Sequence, residues 1–220
     1  MLQVDVENAR HNMIVQQIRP CDVLDEDVLE VMEQMPREAF VPERYAQLAF
    51  ADIEIPIGHG QSMMAPKVEG LMLQALAVCP GDRVLEVGTG SGYVTACLSW
   101  LSGEVISVDI HEDFTKAAAE KLAAQGIDHV KLVTADALAA PAAGGPFKVI
   151  AVTGALPVHT DHFEKQLEVG GRLFQVIGEG PAAEAQLVTR VREDAWRREA
   201  LFETALAPLV NAPRAAEFVF

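Results

Sequence analysis

Val84-Leu85-Glu86-Val87-Gly88-Thr89-Gly90-Ser91-Gly92-Tyr93, followed by Val105-Ile106-Ser107-Val108-Asp109, is where residue types and spacing define a chemistry. The pattern is a strand, a glycine turn, the start of a helix, and a second strand ending in a carboxylate. Glycines at such a turn let the backbone approach a ligand closely and adopt positive φ without a clash. An acidic residue at the tip of the second strand accepts hydrogen bonds from ribose hydroxyls. The combination points to a nucleoside-containing cofactor.

Three cofactor classes compete for it. A nicotinamide dinucleotide site wants GxGxxG, but here the spacing is Gly88, Gly90, Gly92, with Tyr93 where the last glycine would stand. A phosphate-binding P-loop is excluded because no Gly-Lys-Ser/Thr follows the glycines. A methionine-bearing nucleoside needs no pyrophosphate site at the helix N-terminus, only room near the first strand for its amino-acid end. In that reading Gly88, Thr89, Gly90 and Gly92 form the turn, and Glu86 serves the ammonium directly or through water. Asp109, with Ile110 beside it, holds the ribose, and Asp136-Ala137 meets the adenine edge. The plainer alternatives are a solvent-facing turn carboxylate for Glu86 and a helix N-cap for Asp136.

The elements that must position these residues are legible from periodicity. A helix is expected over 5–19, with Asp5 as its cap, and a second from Asp25, carrying Val28, Leu29, Met32 and Met35 and stopped by Pro36. Short helical pieces flank Pro42. Residues 51–66 read as an irregular binding loop, and Pro66 starts a helix through Leu76. From residue 83 strands and helices alternate: strands 83–87, 104–108, 130–134, 147–152 and 172–176, helices 92–101, 112–124 and 160–168. That alternation implies a parallel sheet covered on both faces. Residues 184–192 and 196–205 read as an antiparallel pair turning at Asp194, before an extended tail from Pro208 to Phe220. The expected architecture is α/β: one domain over 1–220, with a helical cap and acceptor loop over 1–80 and a mostly parallel sheet with an antiparallel edge over 81–220.

Composition narrows the partners. The chain has 220 residues, with 32 acidic and 17 basic side chains and a net charge of -15, which opposes nucleic acid and anionic membranes. The densest basic group, Arg190, Arg192, Arg197 and Arg198, reads better as a solvated hairpin face. There is no apolar run long enough to span a bilayer and no signal peptide. Cys21, Cys79 and Cys97 form no CxxC, which points to a reducing, cytoplasmic setting; Cys79 and Cys97 read as small buried hydrophobes. His11, His129, His159 and His162 make no ligand pattern, so no metal is expected.

An ordered set of motifs runs along most of the chain: Met13-Ile14-Val15-Gln16-Gln17-Ile18-Arg19; Met35-Pro36-Arg37-Glu38-Ala39-Phe40-Val41-Pro42; Asp52 with Ile55-Pro56-Ile57-Gly58-His59-Gly60-Gln61-Ser62; Glu86 to Tyr93; and Gly170-Gly171-Arg172-Leu173. On these motifs the chain resembles the protein-L-isoaspartate O-methyltransferases. The resemblance implies a Rossmann-like class I S-adenosylmethionine-dependent methyltransferase fold, S-adenosyl-L-methionine as methyl donor, and repair methylation of isoaspartyl residues in damaged proteins or peptides. It adds Gln61 to the candidate cofactor-binding residues.

The match departs from the family pattern on the acceptor half. The family's serine beside the accepting carboxylate aligns with Met64, whose thioether donates no hydrogen bond. The family's Asp-Gly is Asp136-Ala137, its Thr-Ala-Ala-Pro is Thr153-Gly154-Ala155-Leu156-Pro157, and Ala205-Leu206-Ala207-Pro208-Leu209 replaces a bulkier segment. The acceptor in the family reaction is a carboxylate, already ionised at neutral pH, so it needs alignment and desolvation rather than a strong base. Ser62 and Thr153 are the candidate donors to it, against the plainer reading of a Thr that satisfies backbone groups. His59 is the candidate for neutralising an acidic substrate or acting as a base, and a surface histidine is its plainer reading. His111 is placed to edge the adenine. Two alternatives to isoaspartyl transfer stay open: the same fold acting on another small-molecule or peptide acceptor, and a cofactor-binding homologue without repair activity. Oligomeric state is not legible.

Overall fold

A computed structural model of the chain describes residues 3–214. The distal part of the expected tail, with Phe218-Val219-Phe220, lies outside the described residues. The chain opens in α1 (Gln3–Met13), which runs on through a π-helical turn (Ile14–Ile18) and a 3-10 turn (Arg19–Cys21). Pro20 lacks the N–H a further α-turn would need, and Asp22 ends the run in the left-handed region at φ 65°. Asp25 caps α2 (Glu26–Gln34), its carboxylate accepting from the backbone of Asp27 at 3.0 Å and Val28 at 3.2 Å. Val28, Leu29, Val31 and Met32 bury one face of this helix.

Arg37 opens α3 (Arg37–Phe40) and is fully buried. Its guanidinium donates to Glu69 at 3.0 and 3.2 Å, to the Ala49 carbonyl at 2.7 Å and to the Met64 carbonyl at 2.7 Å. A buried ion pair with this many partners fixes position more than it adds stability. What it fixes is the segment leading into α4 (Pro66–Leu76), which carries Glu69. Residues 51–66 are more regular than expected. β1 (Ile55–Gly58) and β2 (Gln61–Met63) form a hairpin, pairing Ile55 with Met63 and Pro56 with Ser62. The strands are too short to show a period, and Pro56 argues against a strand except in a ribbon with free edges.

The main sheet has the order β5-β4-β3-β6-β7-β8-β9. Its strands are β3 (Arg83–Val87), β4 (Glu104–Asp109), β5 (Lys131–Thr134), β6 (Phe147–Leu156), β7 (Leu167–Ile177), β8 (Glu184–Arg192) and β9 (Ala195–Glu203). The first five run parallel, and β8 and β9 add an antiparallel edge. α5 (Tyr93–Ser102) and α6 (Glu112–Ala124) make the crossovers to β4 and β5. The chain then returns to the other side of β3, so the topological switch lies between β3 and β6, where an open α/β sheet places its ligand.

Two expectations fail here. The helix over 160–168 is only a 3-10 turn (Glu164–Gln166), because Leu167 already begins β7 and Gly170-Gly171 lie inside that strand. The sheet is also covered unequally. Side chains of α1, α2, α4, α5 and α6 pack with Val84, Val149 and Phe174 on one face. The other face, with Leu85, Val87, Ile150 and Leu173, is closed by non-helical segments bearing Leu138, Ala142, Trp196 and Leu209 and by Phe163 beside the 3-10 turn. Alternation along β3 assigns Val84 to one layer and Leu85 and Val87 to the other.

Cys97 is buried as expected, but Cys79 is exposed, held at the turn before β3 where its N–H donates to Asp82. Three of the four arginines of the β8–β9 hairpin are engaged within the fold. Arg198 pairs with the buried Glu164, Arg190 donates to the Leu167 carbonyl, and Arg197 pairs with Glu199.

Candidate functional site

The glycine turn after β3 is built for close approach. Gly88 has φ 101°, and a Cβ there would lie 2.3 Å from Thr153 Oγ1. Gly90 has φ 50°, and its Cβ would lie 3.1 Å from Ile57 of the hairpin. Gly92 does other work: it precedes α5 at φ 88° and sits 3.0 Å, measured from a built Cβ, from Ala118 of α6. It is a packing glycine and does not line the cleft.

Asp109 ends β4 and is 7% exposed. Its carboxylate accepts from the Gly90 N–H at 2.9 Å and from the His111 N–H at 2.9 Å, one bond to each oxygen. Each carboxylate oxygen retains a further lone pair for a ligand hydroxyl. The strand end thus locks the glycine turn and the start of α6 into one frame.

Glu86 is not in the cleft. The pleat of β3 turns it beneath the glycine turn, where it is fully buried. One oxygen accepts from the Thr95 hydroxyl at 2.5 Å and the Ser107 hydroxyl at 2.6 Å; the other has no partner among the described residues. Burial pushes its carboxyl up to about 8, although the Ser107 and Thr95 hydroxyls favour the ionised form. Thr89 joins the same network, its hydroxyl 2.6 Å from that of Ser107. Glu86 therefore supports the turn from below.

A cleft of about 600 Å³ opens above the turn. Gly88, Gly90, Asp109, Ile110, Asp136, Ala137, Gln61, Ser62 and Thr153 all line it, so most of the residues singled out in the sequence meet in one place. Asp136 accepts from the Leu138 N–H at 2.9 Å and from the Asn211 side-chain amide at 2.8 Å. The Asn211 bond is the main reason its carboxyl lies below the usual range. His111, Phe114, Leu138, Leu209 and Val210 also line the cleft. Of these, His111 carried a signal in the sequence through its distance from Asp109, and Leu209 through its place in the segment that departs from the family pattern; Phe114, Leu138 and Val210 carried none. Leu209 and Val210 belong to a strap that crosses from the far end of the chain. Leu209 N–H donates to the Ala155 carbonyl at 2.9 Å, the Ala155 N–H to Ala207 at 2.9 Å, and the Gln61 side-chain amide to Pro208 at 3.3 Å. The strap explains Gly154, where a Cβ would lie 2.7 Å from Leu209.

A second, smaller pocket, half open to solvent, continues beneath the hairpin and shares Ile57, Ser62, Gly88, Gly90 and Thr153 with the first. Met63, Met64 and Glu69 complete it on the cap side. Burial pushes the Glu69 carboxyl up while Arg37 pulls it back. Thr153 is delivered by a bulge in β6, and its hydroxyl donates toward the carbonyls of Gly88 at 2.8 Å and Val87 at 3.0 Å. With its proton so engaged, Thr153 presents an acceptor to the cleft rather than the expected donor. Ser62 lines both cavities. His59 lies at the hairpin tip outside both linings, Nε2 2.8 Å from Asp113 Oδ2, its ring stacked on His111 at 4.0 Å.

The comparisons with known proteins agree with one another. The protein-L-isoaspartate(D-aspartate) O-methyltransferase profile matches residues 8–213. Protein-L-isoaspartate O-methyltransferase 1 of Rhodopseudomonas palustris (strain HaA2) is 38% identical, over 92% of this chain and 83% of that protein. Protein-L-isoaspartate O-methyltransferase 2 of Anaeromyxobacter sp. (strain Fw109-5) is 37% identical, over 92% of this chain and 84% of that protein. The fold is shared with a Plasmodium falciparum protein of the same type, crystallised with S-adenosyl-L-homocysteine, at a TM-score of 0.79 and 22% identity, covering 93% of this chain and 97% of the other. By profile, identity and coverage, this chain belongs to the protein-L-isoaspartate(D-aspartate) O-methyltransferase family.

Proposed function

We propose that the chain methylates the carboxylate of L-isoaspartyl residues in proteins or peptides, using S-adenosyl-L-methionine. The observation that carries this reading is the joining of two cavities at Ser62, Gly88 and Thr153, one framed by Asp109 and the glycine turn, the other roofed by the hairpin. The residues fit the cofactor: Gly88 and Gly90 line the cleft with no side chains of their own, and Asp109 keeps acceptor capacity beside them. The fold-related Plasmodium protein was crystallised with S-adenosyl-L-homocysteine, which supports the assignment.

When bound, S-adenosyl-L-methionine supplies an electrophilic methyl group on a sulfonium. The chain's own contribution is placement. Asp109 accepts from ribose hydroxyls, Ile110 and Ala137 give apolar walls, and Asp136 with Gln61 closes the rim. Glu86, Thr89 and Ser107 hold the turn from below. The accepting carboxylate is ionised at neutral pH, so the hairpin's task is to strip its water and align it. Ser62 donates to that carboxylate, and Thr153 holds the turn in register. Three free cysteines, Cys21, Cys79 and Cys97, support a cytoplasmic setting; no helix among the described residues is long and apolar enough to cross a membrane.

A second reading, the same transfer to a different acceptor, is favoured by Met64, a buried thioether lining the smaller cavity. One experiment separates the two: transfer of labelled methyl to matched isoaspartyl and aspartyl peptides, with base-lability of the product measured. Base-labile label on the isoaspartyl peptide alone is the expected result. No label on either, with cofactor bound, favours the second reading.

A further inference from the structure

We propose that His59, His111 and Asp113 form a binding site for a divalent transition-metal ion of the zinc type, at the rim of the cleft. No spacing in the sequence announces it, because the fold brings the hairpin tip against the first turn of α6. One ligand atom from each residue lies within 4.8 Å of the others. His59 Nε2 is 2.8 Å from Asp113 Oδ2, and the two imidazole rings stack at 4.0 Å. His111 Nε2 has no hydrogen-bond partner among the described residues.

Two imidazoles and a carboxylate are the ligand set that zinc accepts alongside a water, and imidazole also suits copper and nickel. The site is open to solvent, with the His59 side chain 43% and the Asp113 side chain 65% exposed. It is also framed. Asp109 holds the His111 backbone at 2.9 Å, and Phe114 stands nearly perpendicular to both imidazole rings, with centroids 5.2 and 5.3 Å away. A tetrahedral ion with bonds of about 2.0–2.1 Å needs its ligand atoms roughly 3.3–3.5 Å apart. The His59–Asp113 pair must therefore open from its 2.8 Å hydrogen bond to admit the ion, and the stacked rings must turn so that their lone pairs converge. The hairpin tip can supply that motion: His59 stands between Gly58 and Gly60, in a stretch where all three residues have positive φ. The net charge of -15 favours capture of cations generally, but only these residues give the site its imidazole selectivity.

An ion here would tie the hairpin to α6. His111 and Phe114 line the cleft, so on the cofactor assignment made above the ion would also slow exchange of the bound cofactor.

The test is a titration of the chelator-treated full chain with ZnCl2, followed by calorimetry and by competition with a chromophoric chelator. Wild type is expected to bind one equivalent, and H59A and D113N to bind it roughly tenfold to a hundredfold more weakly or worse. Thermal melts without metal check that both variants fold. The visible spectrum with Co2+ should show a low-symmetry, four-coordinate band in wild type that D113N lacks. Absence of stoichiometric binding, or unchanged binding in H59A and D113N, would overturn the proposal. The readout needs no cofactor or peptide, so its failure is distinct from failure of the methyltransferase assignment.

Discussion

Gly88 and Thr153 share one space: a Cβ on residue 88 would stand 2.3 Å from Thr153 Oγ1, the same hydroxyl that donates to the Gly88 carbonyl at 2.8 Å. The two residues should therefore be energetically coupled. G88A is expected to destabilise by about 1–3 kcal/mol from its φ of 101° and from displacement of Thr153. T153A should cost roughly 0.5–1.5 kcal/mol for the lost bond. In the double variant the clash is gone, so the combined loss should be smaller than the sum. Denaturant unfolding of the four proteins measures this, and strict additivity would refute the coupling.

Asp109 holds two backbone amides and faces the cleft, so D109A should weaken cofactor binding by roughly 1–3 kcal/mol. The glycine turn loses its tether to Gly90 in the same step. Calorimetric titration that finds the affinity unchanged would remove Asp109 from the site.

Glu86 gives the protein a pH-dependent stability. Its carboxyl ionises near the ordinary value of 4.5 in the unfolded chain and near about 8 in the folded one. Between those values the folded state binds more protons, so stability falls as pH rises and levels off above the folded value. The slope from this group is at most about 1.4 kcal/mol per pH unit. E86Q cannot lose that proton and should show a flatter profile between pH 5 and 8. Parallel profiles for the two proteins would show that Glu86 titrates normally.

Met64 lines the smaller cavity at the position where the sequence resemblance implies a serine. M64S is expected to raise methyl transfer to an isoaspartyl peptide by tenfold to a hundredfold, the kinetic equivalent of roughly 1–3 kcal/mol from one added donor. It should also lower stability by about 2–5 kcal/mol, as large-to-small changes in a core do. Turnover numbers and melting curves from the same preparations test both halves. A wild type as fast as its relatives, with M64S no faster, would show the hydroxyl to be dispensable.

The parts of the fold set by local signals were legible. The helix expected from Asp25 starts one residue later, with Asp25 as its cap; 112–124 is helical over its expected length; and the glycine turn and Asp109 meet at one cleft because strand tip and turn are adjacent by topology. What stayed hidden depends on distant partners. Asn211 meets Asp136 across 75 positions and Gln61 meets Pro208 across 147, and no window of sequence contains either pair. The inward turn of Glu86 was missed for another reason. The motif shows which residue precedes the turn, whereas the pleat decides which face it takes. The expected helix over 160–168 yielded to β7, which offers Leu167 and Leu173 to a buried face.

The bulge in β6 has a consequence for how this chain can vary over evolutionary time. Between Ala151 and Ala155, β6 passes three residues where β7 passes one, between Phe174 and Val176. Losing one of them would invert every side chain beyond, turning Ala155 and Leu156 onto the wrong faces. Losing two would restore the pairing but straighten the strand and withdraw the hydroxyl of Thr153 from the turn. Lineages descending from this sequence can thus exchange residues at 152–154 within tight limits of size, but insertions and deletions there are closed to them.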